Sequence, residues 1–230
     1  MFADLNNFFD HFKPGRETRI QNRIERKKSR GKTKKFSYRL LVHEILERDG
    51  EYIMIGEAYY PRYNYSTNNS AFGPGGGFGY NPGFSNPYFL GYKYTHAVVL
   101  GFDPNCNILW DHTFKIEDIQ TYSLSANVVV SASDDGVVLM YLEENEIRSK
   151  VVSGNEIVEG RTFSPVRLSF ETDEVKNKDP NLEGLSKWYG ETLFAYGKQS
   201  IRNPSGIGGQ FFRKVFYINK IQYDLNREPN

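Results

Sequence analysis

The stretch from Lys93 to Phe114, KYTHAVVLGFDPNCNILWDHTF, constrains this chain more than any other. Tyr94 to Phe102 alternates and then runs apolar through Ala97, Val98, Val99 and Leu100. Asp103-Pro104-Asn105-Cys106-Asn107 is turn chemistry, because proline presets φ and asparagine tolerates the left-handed region. Ile108 to Phe114 alternates again. Ile108, Trp110 and His112 fall on one face, and Leu109, Asp111 and Thr113 on the other. Two strands joined by a tight turn make an antiparallel pair, and weaker copies of the pattern fill most of the chain.

Phe36–Glu47 and Glu51–Tyr60 flank Arg48-Asp49-Gly50, a strong hairpin signal. Gly56 inside the second run predicts a bulge or a close backbone approach. Pro61 to Tyr92 breaks all periodicity and predicts a long loop. Runs at 120–125, 126–132, 137–142 and 147–152 follow, then one or two strands over Glu156–Phe170. Glu171 to Leu185 reads as a polar loop, Lys187–Lys198 as a strand with a bulge at Gly190, and Gln199–Gln210 as a second loop. Phe211–Asp224 closes the pattern as one or two strands. Aromatics make up 15% of residues, with 16 Tyr and 17 Phe, a bias towards strands over helices.

Only residues 1–35 depart from this. Phe2, Leu5, Phe8, Phe9 and Phe12 form a short amphipathic segment, and Pro14-Gly15 interrupts it. Arg16 to Lys35 holds ten Lys/Arg against Glu17 and Glu25, so it carries +8 in a chain of net +1. Ile20 and Ile24 are the only apolar pair of this helix, which predicts a lightly docked basic arm or linker. Cys106 is the sole cysteine, excluding an intrachain disulfide and cysteine-based zinc sites. No run approaches the length of a membrane span. The expected compartment is the cytoplasm for a complete chain, and an exported location for the end of a longer precursor.

The strands fall into units of four: 38–47, 51–60, 94–102 and 107–114; then 120–152; then 163–224. The fold class is therefore all-β, with antiparallel four-stranded units over 36–115, 119–153 and 155–225. Ile53-Met54-Ile55-Gly56-Glu57, Gly101-Phe102-Asp103, Asn105-Cys106-Asn107 and Ile108-Leu109-Trp110-Asp111 resemble the blade pattern of bacterial β-propeller repeat proteins. Cys106 stands where that pattern usually has glycine. The resemblance implies about three blades of an incomplete propeller. Three blades do not close a ring, so further blades upstream or a second chain are expected.

Chemistry-bearing residues are sparse. His43, His96 and His112 sit in strands, and Asp111 precedes His112, but strand neighbours point to opposite faces. Asp103-x-Asn105-x-Asn107 has the oxygen spacing of a calcium loop without its glycine and distal glutamate. No catalytic set, metal site or cofactor is expected. Arg19, Arg23, Arg26 and Lys27 are candidate anion-binding residues. The arm lacks interleaved aromatics, which disfavours nucleic acid as its partner. Tyr63, Tyr65, Phe72, Tyr80, Tyr88 and Arg202 lie in or beside the two long loops and are candidate ligand-binding residues on one rim, suited to a glycan or a protein segment. A binding or scaffold protein is the leading expectation. A lyase or hydrolase with its site on the propeller face, and an anionic-surface binder acting through the arm, are the alternatives.

Overall fold

The computed structural model describes residues 5, 7–43, 45–48, 50–64, 88–133, 136–178, 183–190, 192–206 and 211–223. Among them, one helix and fourteen strands form three antiparallel sheets. In the first sheet, β1 (Arg39–Val42) and β2 (Leu46–Arg48) lie end to end along β3 (Glu51–Asn64). Next comes β4 (Tyr88–Phe102), flanked on its far side by β5 (Ile108–Lys115) and the short β6 (Gln120–Thr121). The second sheet is a plain meander of β7 (Val129–Ser133), β8 (Gly136–Glu143), β9 (Glu146–Ser153) and β10 (Glu156–Pro165). In the third, β11 (Glu174–Lys178) and β12 (Gly184–Lys187) share one side of β13 (Leu193–Arg202), and β14 (Phe212–Ile221) takes the other.

The sheets stack face to face with the second in the middle. Val137, Leu139 and Tyr141 of β8 join Ile53, Val99, Trp110 and Phe114 of the first sheet in one core. Val138, Met140 and Leu142 turn the other way, towards Leu193, Ala195 and Leu185 of the third. This explains the unbroken apolar run of β8, since a strand covered on both faces has no polar side to show. Trp110 is 5% exposed and lies across Gly101, its cross-strand partner. A Cβ at Gly101 would sit 2.2 Å from the indole.

The turn signals hold for physical reasons. Asp103 accepts the N–H groups of Asn105 (2.9 Å) and Asn107 (2.8 Å), closing the β4–β5 turn. Cys106 takes φ +64°, the left-handed conformation glycine adopts freely. Glu144 and Asn145 have φ of +54° and +64°, as a two-residue hairpin turn requires.

Five expectations need correction. Gln120–Thr121 pairs with β4 and belongs to the first sheet, and β10 pairs with β9 and belongs to the second. Lys187–Lys198 is not one bulged strand, because Trp188–Thr192 makes a hydrogen-bonded turn between β12 and β13. Residues 174–178 and 184–187 are strands, where composition reads as loop. Gly56 pairs in register with Val42 and Val98, and the β3–β4 register shifts fall at Ala58/Tyr59 and Arg62/Tyr63.

The N-terminal region divides in two. Helix α1 (Pro14–Lys28) has no buried residue and touches the body through Ile20 and Ile24. Pro14 opens this helix, at a position where its missing N–H costs nothing. The preceding turn is different. Phe8 and Phe9 are buried against Val98, Leu100, Phe36 and Tyr38 on the outer face of the first sheet. Asn7 N–H donates to the Asp111 carboxylate at 2.8 Å, and Thr113 Oγ1 donates to the Asn7 carbonyl at 3.0 Å. Residues 7–12 are thus packed onto the first sheet, whereas α1 buries none of its residues.

Candidate binding surface

One end of the stack is thus covered by the N-terminal turn. The other end, the outer face of the third sheet, is bare among the described residues. Leu193, Ala195, Gly197, Gln199 and Ile201 of β13 face inward, so Phe194, Tyr196, Lys198, Ser200 and Arg202 face out. Register then sets the rows across to β14: Phe194 opposite Lys220, Tyr196 opposite Ile218, Lys198 opposite Phe216, Ser200 opposite Lys214, and Arg202 opposite Phe212. Phe212, Phe216 and Ile218 are 69%, 64% and 60% exposed.

The β12–β13 turn extends this face. Trp188 packs edge-on against Tyr189 (5.3 Å between ring centroids) and Phe194 (5.9 Å), and Phe194 meets Tyr196 at 5.6 Å. Lys220 Nζ donates to the Tyr189 hydroxyl at 3.0 Å, which holds that phenol below its ordinary pKa. Tyr196 lies flat across Gly184, where a Cβ would come within 2.7 Å of its hydroxyl. Glu174, the only carboxylate on the face among the described residues, is paired with Lys176 (2.8 Å) and Arg202 (3.8 Å). Rings and cations alternate on this surface, and the cations outnumber the acid.

Of the ligand-binding candidates, Arg202 lies on this face. Tyr63 and Tyr88 lie together at the open end of the β3–β4 hairpin, where Tyr63 packs on Phe89 (5.7 Å) and Asn64 donates to the Tyr88 hydroxyl (2.6 Å). That hairpin belongs to the first sheet and Arg202 to the third, so the described candidates do not form one cluster. Tyr65, Phe72 and Tyr80 lie outside the described residues. The anion candidates Arg19, Arg23, Arg26 and Lys27 are solvent-facing on α1.

The histidines have structural surroundings. His43 Nε2 bonds to Glu57 at 2.8 Å, and the buried Glu57 carboxylate also accepts the N–H groups of Asn127 and Val128, both at 2.8 Å. His43 opens onto a pocket of about 240 Å³ where all three sheets meet, lined also by Leu46, Ile55, Val129, Leu185 and Ser186. His112 Nε2–H donates to the Gly154 carbonyl at 2.7 Å. His96 is fully buried beneath His11, a residue whose role sequence reading missed. Asp103 spends its oxygens on its own turn, and no metal-binding group of three or more His, Cys, Asp or Glu exists among the described residues. Glu117 is held down to about pKa 2 by hydrogen bonds from Arg161 and Lys115, an ion cluster that closes on itself around the Tyr141 hydroxyl.

Comparison with protein-family models, curated proteins and solved structures finds no match.

Proposed function

We propose that this chain is a non-enzymatic binding module of β-propeller type, in which the three stacked sheets stand as consecutive blades. The outer face of the third sheet is its working surface. The observation that carries this reading is the row of exposed rings, Phe212, Phe216, Trp188 and Tyr189, beside Lys198, Lys214 and Lys220. Soluble domains rarely leave so large an apolar patch without a use for it. Two further features support the blade assignment. The second sheet is a sequential four-stranded antiparallel meander, and each sheet packs through alternate strand residues on the next.

Peptide and glycan arrays, screened with the wild type and a Phe212→Ser/Phe216→Ser variant, test the reading. Binding that disappears in the variant supports it. Binding that persists moves the surface elsewhere, towards the β3–β4 hairpin end with Tyr63 and Tyr88 or the arm with Arg19 and Arg23.

The enzyme reading has one observation in its favour. Ser186 and His43 line the same pocket, and Glu57 stands behind His43. A hydroxyl, an imidazole and a carboxylate are the parts of a nucleophilic hydrolase, but no hydrogen bond joins Ser186 to His43 among the described residues. Ester or peptide turnover abolished by Ser186→Ala would select this reading over the binding module.

A further inference from the structure

We infer that the outer face of the third sheet takes single-stranded nucleic acid, an inference that rests on the binding-module reading above. Three observations converge on it. The first is spacing. Residues on one face of a strand repeat about every 6.8 Å, and each of five successive rows on β13 and β14 offers a ring, a cation or both. Phe194 stands with Lys220, Lys198 with Phe216, and Arg202 with Phe212, so stacking and phosphate contacts interleave along one line. An extended strand of nucleotides presents bases and phosphates in that same alternation.

The second is charge. Among the described residues, Lys176, Lys198, Arg202, Lys214 and Lys220 share the face with Glu174 as its only acid, and Glu174 is already paired. A second copy of this chain docked face to face would oppose cation to cation. A glycan site needs carboxylates turned to the sugar hydroxyls, and the one described carboxylate of this face is already paired. The third is ring accessibility. Phe212 and Phe216 are more than half exposed and so within reach of a ligand, and Tyr196, laid flat over Gly184, presents its ring face. A duplex keeps its bases stacked inside and has no use for these rings, whereas a single strand does. The arm has cations without rings, and this sheet supplies the interleaving that the arm lacks.

Fluorescence anisotropy with labelled dT15 and rU15, the matching duplex and a polyglutamate of similar length tests the inference. The full chain is compared with Phe212→Ala, Phe216→Ala, Lys198→Gln and Arg19→Gln/Arg23→Gln, each checked for folding by circular dichroism. Binding of dT15 or rU15 is expected to exceed that of the duplex and of polyglutamate. Each Phe→Ala should weaken it about tenfold, the loss of one stacked base. The plot of log affinity against log salt should have a slope of about −3, reduced in size by about 0.7 in Lys198→Gln. Polyglutamate binding as tightly as dT15 would overturn the inference in favour of an acidic protein partner. Loss confined to Arg19→Gln/Arg23→Gln would overturn it in favour of the arm. If neither strand binds while an array peptide or glycan binds through Phe212 and Phe216, the inference falls and the binding module stands. If nothing binds through these residues, both fall.

Discussion

The imidazole of His11 lies flat on that of His96, with centroids 3.7 Å apart and planes 13° from parallel. His11 comes from the N-terminal turn and His96 from β4, so this contact joins the turn to the first sheet. Thr95 donates its hydroxyl proton to the Ala58 carbonyl at 3.2 Å. Its oxygen is then left to accept from His96 Nδ1 at 2.9 Å, and Nε2 is the bare, buried nitrogen without a partner. His11 Nδ1–H donates to the Phe8 carbonyl at 2.9 Å. Both rings are therefore built to be neutral. Burial lowers His11 to about 4 and His96 to about 3, and His11 further disfavours a proton on His96.

Stability should fall as the pH drops below about 6.5. Above that value both histidines are neutral in the folded and unfolded chains, and the pair is indifferent to pH. Below it the unfolded chain takes up protons that the folded chain refuses, down to about pH 4 for His11 and pH 3 for His96. The loss for His96 is about 1.4 kcal/mol per pH unit, and less for His11, which water reaches at the rim. Of the neighbouring groups, Arg16 and Lys115 act on His11 in the same direction. Burial raises Asp10, which opposes the trend in the acid range where carboxylates titrate, while Lys150 and Asp111 face Asp10 and not the rings. Urea midpoints at pH 7.5, 6.5 and 5.5 check this. The slope should flatten in His96→Phe, and an equal slope in that variant would remove the pair as its cause.

Phe8→Ala should cost about 3–5 kcal/mol, the range for emptying a buried phenylalanine site. The ring is fully buried among Phe9, Tyr38 and His96. Ile24→Ala on α1 should cost under about 1 kcal/mol, because no residue of that helix is buried. Urea unfolding of the two variants separates a packed N-terminal turn from a lightly docked helix. Equal effects would mean that the turn and the helix act as one unit.

Legibility in the sequence followed local periodicity. The run GVVLMYL of β8 announced a strand covered on both faces, and the Asp103–Asn107 turn was visible in its residue types. The outward face of the third sheet was not legible, since β14 carries rings and apolar groups on both sides: Phe212, Phe216 and Ile218 on one, Val215, Tyr217 and Ile221 on the other. Only the packing of Tyr217 and Ile221 against Leu142 and Ala195 decides which side is buried. The contacts of the N-terminal turn were hidden for another reason. Asn7 meets Asp111 across 104 positions, and no local pattern in either segment encodes that approach.

Gly101→Ala should destabilise the junction of the first and second sheets. Gly101 is Trp110's cross-strand partner, and the added methyl would lie 2.2 Å from the indole and from the Glu51 carboxylate. Trp110 cannot swing aside without leaving the core it shares with Val130 and Val152. Overpacking of this kind costs about 1–3 kcal/mol. Tryptophan emission should shift to the red as Trp110 meets water, with Trp188→Phe as the background that removes the exposed second indole. An unshifted spectrum and an unchanged midpoint would show that the strand pair absorbs the methyl.

Glu57 is the tie between the first sheet and the start of the second. Its Oε1 takes His43 Nε2 and the N–H groups of Asn127 and Val128, all at 2.8 Å, and Oε2 takes Asn127 Nδ2 at 3.1 Å. Two of those donors are backbone groups at the entry to β7, where no strand neighbour satisfies them. Glu57→Ala strands His43 Nε2 and the two backbone N–H groups, while Asn127 Nδ2 keeps the Ser125 carbonyl at 3.0 Å, and should cost about 3–5 kcal/mol. Glu57→Gln keeps one oxygen for the two backbone groups but turns an amide N–H₂ towards Asn127 Nδ2. It should therefore cost about 1–3 kcal/mol. Hydrogen exchange of the Asn127 and Val128 amides reads the tie directly: slow in the wild type, faster in Glu57→Gln and fastest in Glu57→Ala. The same order should appear in the urea midpoints. A Glu57→Ala variant with wild-type exchange at both amides would mean that the two sheets hold together without this carboxylate.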